Sequence, residues 1–379
     1  MTSGPAAPRG TGGVRRAWLA AGALVAGLLA LRVVAPLVAP PAAAPPVTSP
    51  APAGSVAAAV ATRPAPLTEA TGTSLILGGD GGLLRVDLDR RRVRQVPLPL
   101  GAAEADNGLV ERDGVVVAVR GGVAFVAPVR PGRPATPLGP ASYALASATA
   151  GRVWLVEETG DPERWFRLRE LDLGRSTAGG AVPARGVLPL ERRPVAGVPG
   201  GLLVHEIGPG SGLAVWNPRT GRLGRQLATA ATLTGVAAHG RAVAWVEYST
   251  LHLGDLVTGR DRVVAPPPGS DGFAAPGAFS PDGRTLAAVT RPGLSTRPTL
   301  ALVAVDRAAA VQVAGSDGAL SDRCSPCLAW APAGDWVFFS RLGPGFGSGA
   351  YRLGRPGAVT VPVDVPFSFP PSFAVIRPE

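Results

Sequence analysis

The only two cysteines of the chain lie close together, in the segment Cys324-Ser-Pro-Cys327. A redox-active pair with this spacing needs a helix amino terminus to lower the pKa of a thiol, whereas the apolar residues 328–331 that follow are typical of a strand. A haem attachment site needs a histidine after the second cysteine, where this chain has Leu328, and a structural zinc site needs four ligands. We therefore predict a Cys324–Cys327 disulfide, with free thiols, a redox pair or a metal site as open alternatives.

The remaining side chains that could do chemistry are scattered along the sequence. His205, His239 and His252 stand in separate segments without metal-ligand spacing, and the chain contains no HExxH, GxSxG or P-loop motif. The adjacent carboxylates Glu157 and Glu158 could serve a glycoside hydrolase or lyase only with a second acid at a defined distance. We predict no catalytic residues, no metal and no cofactor, and the sequence leaves the ligand-binding residues unidentified.

The positive charge of the chain does not predict nucleic-acid binding. The formal net charge is +10, and all 37 basic residues are arginine. Because alanine, glycine and proline are also abundant, a GC-rich genome accounts for this choice of arginine. Residues 1–68 carry five arginines and no acid, while residues 69–379 carry 32 arginines against 27 acids, a modest excess for their length.

The amino-terminal region contains an apolar segment that predicts membrane targeting. The run Ala17–Leu31 is uninterrupted, and as a helix it spans about 22 Å, less than the roughly 30 Å of a bilayer core. Extending the run to Ala39 gives 23 residues, which is long enough but includes Arg32 and Pro36. The segment 17–39 therefore predicts either a signal anchor or the helix of a cleaved signal peptide.

The flanking residues predict how this segment is oriented. The tail 1–16 is basic and ends in Arg15 and Arg16, which favours a cytoplasmic location. Residues 40–70 are rich in proline and alanine, so they are typical of an extended, disordered linker. We expect residues 71–379 on the extracytoplasmic side of the cell membrane, held by a single pass, or secreted if the signal is cleaved.

A hairpin motif recurs near the end of the chain. In the stretch AFSPDGRTLAAVT, Pro281 presets the first corner of a turn and Gly283 supplies the positive φ that closes it. The stretch AWAPAGDWVFFS, 51 residues later, has Pro332 and Gly334 at the same positions. Two apolar strands flank the turn in both copies, which predicts a repeated β-hairpin.

Looser copies of this hairpin occur upstream, with turn glycines separated by 37, 49, 40, 43 and 51 residues. A period of about 44 residues is typical of β-propeller repeats. Each unit continues with a third strand, a turn containing Asp or Asn, and a fourth strand. We therefore predict an all-β, seven-bladed propeller over residues 71–379, with six or eight blades as alternatives. The turn glycines are Gly114, Gly151, Gly200, Gly240, Gly283 and Gly334.

The first unit is incomplete, and the carboxy terminus supplies what it lacks. Six units have four strands, the first offers three, and the final residues Ser372–Ile376 offer one lone strand. Because an open propeller leaves unpaired strand edges, we predict that Ser372–Ile376 pairs with Ser74–Leu77 and closes the ring. The alternative is that the polar stretch PLTEATG supplies the missing strand.

The segment Phe279-Ser280-Pro281-Asp282-Gly283-Arg284 resembles the signature of WD40-like propeller repeats of the TolB type, and Trp330–Trp336 matches it in part. The resemblance covers residues 72–379 as architecture and implies a propeller that binds partners without catalysis. TolB-type proteins carry an additional amino-terminal α/β domain, which the proline-rich spacer replaces here, so TolB partners are not transferred.

These observations lead to one expected function and one alternative. We expect a monomeric, membrane-anchored, extracytoplasmic propeller that binds a protein or cell-envelope component and does not bind nucleic acid. The alternative is a propeller-fold hydrolase or lyase that acts on cell-envelope glycans. The central channel discriminates between them, because an enzyme needs converging carboxylates, histidines or metal ligands there.

Overall fold

In the residues that the computed structural model describes, the regular structure is almost entirely β-strand, and the one helical turn among them is the 3₁₀ helix Leu173–Arg175. Among the residues that it describes, no helix is long and apolar enough to cross a membrane. The predicted tail 1–16, the apolar segment 17–39 and the linker up to residue 64 lie outside the described residues. These are 65–79, 82–96, 106–127, 135–160, 165–175, 182–183, 187–208, 212–229, 233–293, 297–319, 327–341, 347–361 and 372–377.

The described strands form seven sheets, each of four or five strands, which confirms the predicted seven-bladed propeller. In every sheet the pairing between long strands is antiparallel. The first three blades contain β2 (Ser74–Gly79), β3 (Gly82–Asp87) and β4 (Arg92–Val96); β5 (Asp106–Arg112), β6 (Val115–Arg120), β7 (Val123–Ala127) and β8 (Thr136–Pro140); and β9 (Tyr143–Ala146), β10 (Arg152–Thr159), β11 (Trp165–Asp172), β12 (Val182–Pro183) and β13 (Leu188–Pro189).

The last four blades follow the same order from the centre outwards. Blades 4 and 5 contain β14 (Arg192–Val198), β15 (Gly201–Glu206), β16 (Gly212–Asn217) and β17 (Arg222–Thr229), then β18 (Leu233–His239), β19 (Ala242–Glu247), β20 (Thr250–Asp255) and β21 (Asp261–Val264). Blades 6 and 7 contain β22 (Ser270–Phe279), β23 (Thr285–Pro292), β24 (Leu300–Ala304) and β25 (Ala309–Gln312), then β26 (Leu328–Trp330), β27 (Trp336–Arg341), β28 (Gly347–Arg352) and β29 (Val359–Val361).

The six predicted turn glycines join the first strand to the second in blades 2 to 7. All six have positive φ, between 55° at Gly240 and 89° at Gly200. This is the region of backbone space where a side chain beyond Cα is costly. The repeat in the sequence therefore reflects one turn, used once in each of six blades.

The carboxy-terminal strand β30 (Ser372–Ile376) closes the ring as predicted. It pairs antiparallel with β2, with Ser74 opposite Ile376 and Gly78 opposite Ser372. The innermost strands of neighbouring blades contact one another in an unbroken circle that passes through β30. Blade 1 is thus assembled from both ends of the domain.

A second closure was not predicted. The short strand β1 (Ala65–Pro66) pairs in parallel with β29 at the outer edge of blade 7. The amide of Leu67 then donates to the carbonyl of Thr360 at 2.9 Å. The propeller therefore includes residues that the sequence assigned to the linker, and the stretch PLTEATG leads away from blade 7 rather than completing blade 1.

The apolar core is divided among the seven interfaces between blades. Successive residues of a strand point to opposite faces of its sheet, so Leu202 and Val204 pack toward blade 3 while Leu203 packs toward blade 5. Trp154 and Trp245 are 4% and 1% exposed and lie in two of these interfaces. These two tryptophans therefore serve packing between blades.

Candidate functional site

The central channel is bounded by the innermost strands, and small, half-buried residues are frequent along them, including Ala144, Ala196 and Gly235. Tyr143 is one of the larger side chains on these strands. Its hydroxyl donates to the carbonyl of Pro194 at 3.0 Å, and burial raises the pKa of Tyr143 above its usual value. Tyr143 therefore acts as a neutral donor that links blades 3 and 4.

A more polar site lies between blades 5 and 6, at the end of the propeller where first strands turn into second strands. This cleft has a volume of about 940 Å³ and is lined by four turns, two from each blade. Five arginines and three aspartates contribute to its walls. We call it the arginine cleft, after Arg241, Arg260, Arg262, Arg284 and Arg307.

The turn between β22 and β23 places Arg284 at the cleft. The Ser280 hydroxyl donates to Oδ1 of Asp282 at 2.6 Å and accepts from the Thr285 amide at 3.0 Å. The Gly283 amide donates to the Ser280 carbonyl, which closes the turn. The hydrogen bond from Ser280 and the one from the Arg284 amide hold the pKa of Asp282 below its usual value, so this carboxylate is committed to the turn in its ionised form.

The corresponding arginine of blade 5 is neutralised by a carboxylate. Nε of Arg241 lies 3.0 Å from Oδ2 of Asp255. The other oxygen of Asp255 accepts from the amides of Val257 and Thr258, at 2.9 and 2.8 Å. The hydrogen bond from the Thr258 amide is the largest cause of the lowered pKa of Asp255, and Arg241 contributes to it.

Blade 6 lacks this carboxylate. Asp255 stands opposite Ala242 in blade 5, while Ala304 stands opposite Thr285 in blade 6. The amide that follows each of these residues donates to the carbonyl of the turn arginine, Arg241 or Arg284, at 2.9 Å. Ala304 therefore occupies the position of Asp255, and in the described part of the chain Arg284 has no ion pair.

Two further guanidinium groups of the cleft are not paired with acids among the described residues. Arg262 is half-buried and donates to the carbonyls of Val305 and Asp306, which holds the side chain in place without neutralising its charge. The exposed side chain of Arg260 has neither a hydrogen bond nor an ion pair there. Arg307 lies 3.7 Å from its neighbour Asp306, and both are more than three-quarters exposed.

The three histidines do not converge. His239 lies at the rim of the cleft and covers Gly283, where an added Cβ would be 2.7 Å from its ring. His252 stacks on Trp245 at a centroid distance of 5.0 Å, and His205 lies in blade 4. Within the part of the chain that the structure describes, no group of three or more His, Cys, Asp or Glu could hold a metal.

The other sequence-predicted residues lie away from the cleft. Cys327 is 7% exposed just before β26, and the described residues include no free cysteine. Cys324 lies outside them, so the predicted disulfide stays a prediction. Glu157 forms an ion pair with Arg167 at 3.3 Å, while the backbone amide of Glu158 donates to Ser142.

Comparisons with known proteins establish the fold but no family. No family model matches the chain, and no curated protein matches it. An oligogalacturonate lyase from Vibrio parahaemolyticus is similar at 13% identity and a TM-score of 0.51, over 73% of this chain and 85% of that one. TolB from Acinetobacter baumannii is similar at 12% identity and a TM-score of 0.45, over 80% and 82%. The chain spans 65% of a hydrazine synthase chain from Kuenenia stuttgartiensis and is itself covered to 58%, at 12% identity and a TM-score of 0.42.

The strand topology defines the class of protein. The chain folds as a seven-bladed β-propeller, and TolB-type propellers are among the solved structures that it resembles.

Proposed function

We propose that this chain is a membrane-anchored, extracytoplasmic propeller that binds a protein or cell-envelope ligand without catalysing a reaction. The arginine cleft is the observation that carries the proposal. Its volume of about 940 Å³ falls within the usual range of ligand sites, roughly 300–1,000 Å³. Guanidinium groups keep their protons at any physiological pH, so a cleft dominated by arginine is suited to holding a ligand rather than to transferring protons.

The anchoring part of the proposal rests on the order of segments at the amino terminus. A basic tail, the apolar segment 17–39 and a proline-rich stretch precede the propeller. The full chain should sediment with membranes in its native cells, and protease added from outside should cut the propeller. A variant without residues 17–39 should stay soluble inside the cell. Sedimentation of that variant with the membrane would contradict anchoring by this segment.

The binding part can be tested with envelope material. The full chain in mild detergent is mixed with a purified envelope fraction, which is then pelleted. We expect the chain to pellet with the envelope and the soluble phase to gain no sugar fragments. The double variant R260Q/R284Q should remain largely in the supernatant, because it lacks two positive charges of the cleft. Both side chains are exposed, so we expect the fold of this variant to be intact. Equal pelleting of both proteins would exclude the cleft as the binding site.

An enzymatic role is the second candidate, favoured by one observation. His239 lines the same cleft as the carboxylates Asp255 and Asp282, so a group able to exchange protons lies beside ionised acids. A hydrolase should release new reducing ends from envelope glycans, and a lyase should release unsaturated sugars, detectable by their ultraviolet absorbance. H239N should abolish either product. If fragments appear with the native chain and disappear with H239N, the enzymatic candidate replaces the binding module.

A further inference from the structure

We propose that the arginine cleft binds an oxyanion, the carboxylate or phosphate group of an acidic sugar, between Arg260 and Arg284. This inference rests on the proposed binding function and names the chemical class of its ligand. Guanidinium groups match carboxylate and phosphate oxygens in paired hydrogen bonds. The structure offers two exposed guanidinium groups in one cleft, Arg260 and Arg284, that form no ion pair with an acid among the described residues.

The comparison of the two blades shows why Arg284 is available. Blade 5 has the same turn arginine and neutralises it with Asp255 at 3.0 Å. Blade 6 has Ala304 at the matching position, so the carboxylate that would form an ion pair with Arg284 is missing. An external anion can take the place that Asp255 occupies in blade 5.

Arg262 adds a fixed positive charge to the same wall. It is held by the carbonyls of Val305 and Asp306, so it does not have to be ordered when a ligand arrives. Its half-buried position makes its field stronger than that of a fully solvated group. Arg262 therefore attracts an anion through its charge, while Arg260 and Arg284 make the direct contacts.

The acids of the cleft do not cancel this charge. Asp255 is paired with Arg241, and Asp282 is committed to its own turn through Ser280 and the Arg284 amide. Asp306 is exposed and lies nearest to Arg307. With five arginines against three aspartates in the lining, the cleft keeps an excess of positive charge.

The rest of the lining suits a sugar. Thr258 and Thr285 contribute hydroxyl groups, and the small residues Gly240, Ala242 and Ala304 leave space for a ring in the cleft. Hydroxyls and exposed backbone are the partners that a hydroxyl-rich ring needs. The cleft therefore combines a cationic end for the acid group with a neutral polar wall for the ring.

Isothermal titration of the full chain in detergent tests this inference with three probes. They are a short oligomer of glucuronic acid, glucose 6-phosphate, and a neutral oligomer of glucose. We expect at least one acidic probe to bind, with an affinity that falls as salt is added, and the neutral oligomer not to bind. The two acidic probes distinguish a carboxylate from a phosphate as the recognised group.

Substitutions at the matched positions of the two blades provide the sharpest test. A304D gives blade 6 the carboxylate of blade 5, so we expect the new carboxylate to form an ion pair with Arg284. The affinity for the acidic probe should then fall about tenfold, the effect of losing one charge-assisted contact. A304N has the same size without the charge and should bind almost normally. R284Q should match A304D, and because its side chain is exposed it remains a valid test even if A304D unfolds.

The reverse change should strengthen binding. D255N removes the charge that occupies Arg241 but keeps an acceptor for the turn, as Asn217 does in blade 4, where its Oδ1 accepts from the amides of Arg219 and Thr220. We expect tighter binding of the acidic probe by D255N. R219Q, a change at an exposed turn arginine of blade 4, is the matched control and should have no effect.

Three outcomes would overturn the inference. They are equal binding of acidic and neutral probes, unchanged binding by both A304D and R284Q, and no binding of any probe. If no probe binds while the chain still pellets with envelope material, the proposed binding function stands and only the oxyanion class is wrong. If neither occurs, both proposals fail.

Discussion

His205 is half-buried on the second strand of blade 4, opposite Arg193 on the innermost strand. Burial is the main cause that lowers its pKa below the ordinary 6.5, and the charge of Arg193 lowers it further. Folding therefore favours the neutral form of His205, whereas the unfolded chain takes up a proton near pH 6.5.

The expected consequence is a loss of stability in mild acid. Because the pKa is lower in the folded state, the contribution of His205 is fully present above about pH 6.5 and is lost as the pH falls from there through the lower pKa of the folded state. The free energy of unfolding, measured with denaturant between about pH 7.5 and about pH 5.5, should decrease. H205Q cannot titrate and should show a shallower decrease. The same slope in both proteins would mean that other groups cause it.

Gly277, on the innermost strand of blade 6, provides a second test at the scale of a residue. Its φ is +54°, and an added Cβ would lie 2.3 Å from the carbonyl oxygen of Ala287. Gly114 also has positive φ, at +82°, but nothing lies within 4 Å of its Cβ position. We expect G114A to cost about 1 kcal/mol and G277A to cost about 3 kcal/mol or more. Similar melting temperatures for the two variants would show that blade 6 yields to the extra methyl group.

At the scale of elements, the ring is closed twice at the same seam. β30 completes blade 1 from the inside, with Ala374, Val375 and Ile376 each about 2% exposed. β1 extends blade 7 from the outside through only two residues. The inner closure buries the three apolar side chains named above and pairs five residues with β2, so we expect it to dominate the stability of the seam.

Removal of β30 should therefore be severe. A chain truncated after Pro371 loses the burial of Val375 and Ile376, worth roughly 1.5–3 kcal/mol each, and leaves the edge of β2 unpaired. We expect a clearly lower melting temperature and aggregation on heating, followed by light scattering. Truncation after Arg377 removes only the last two residues of the chain and should leave both measurements unchanged. An unchanged melting temperature after the longer truncation would contradict the closure.

At the scale of the whole molecule, the apolar core of the described residues lies mainly between blades, and only a small cluster around Phe125 belongs to one blade. The seven main apolar clusters each join two neighbouring blades. A linear array with this pattern can fray from its ends, but a closed ring has none. The propeller should therefore lose its structure as one unit.

Unfolding should accordingly be a single transition. The buried tryptophans Trp154, Trp216, Trp245 and Trp336 report on blades 3, 4, 5 and 7, while far-ultraviolet circular dichroism reports on all strands. We expect the two signals to change together as denaturant is added. Separate midpoints would show that part of the ring opens on its own. The chain truncated after Pro371 provides the comparison, because an opened ring regains ends.

The sequence predicted the blade number and the closing strand because each depends on local signals. A turn glycine with positive φ marks six of the blades, and the lone apolar strand at the end of the chain has one partner available. β1 was not predicted because it consists of only Ala65 and Pro66, which are too few to show the alternation of a strand. The PLTEATG stretch was correctly judged too polar for an inner strand.

The arginine cleft could not be predicted in the same way. It depends on which residues face each other across two strands, whereas the sequence repeat defines this turn only as one that contains Asp or Asn. The strand register shows that Ala304, not Asp306, corresponds to Asp255. A comparison of turn arginines between units could have drawn attention to Arg241 and Arg284, but the missing ion pair becomes visible only in the folded protein.

The inner closure also sets the order of events during synthesis. A ribosome completes three strands of blade 1 early, yet their fourth partner emerges only about 300 residues after β2. Until then, the nascent chain exposes an apolar, unpaired strand edge to which other chains can bind. The cell must shield this edge until β30 has been synthesised. We therefore expect chaperones to bind the first blade rather than the last.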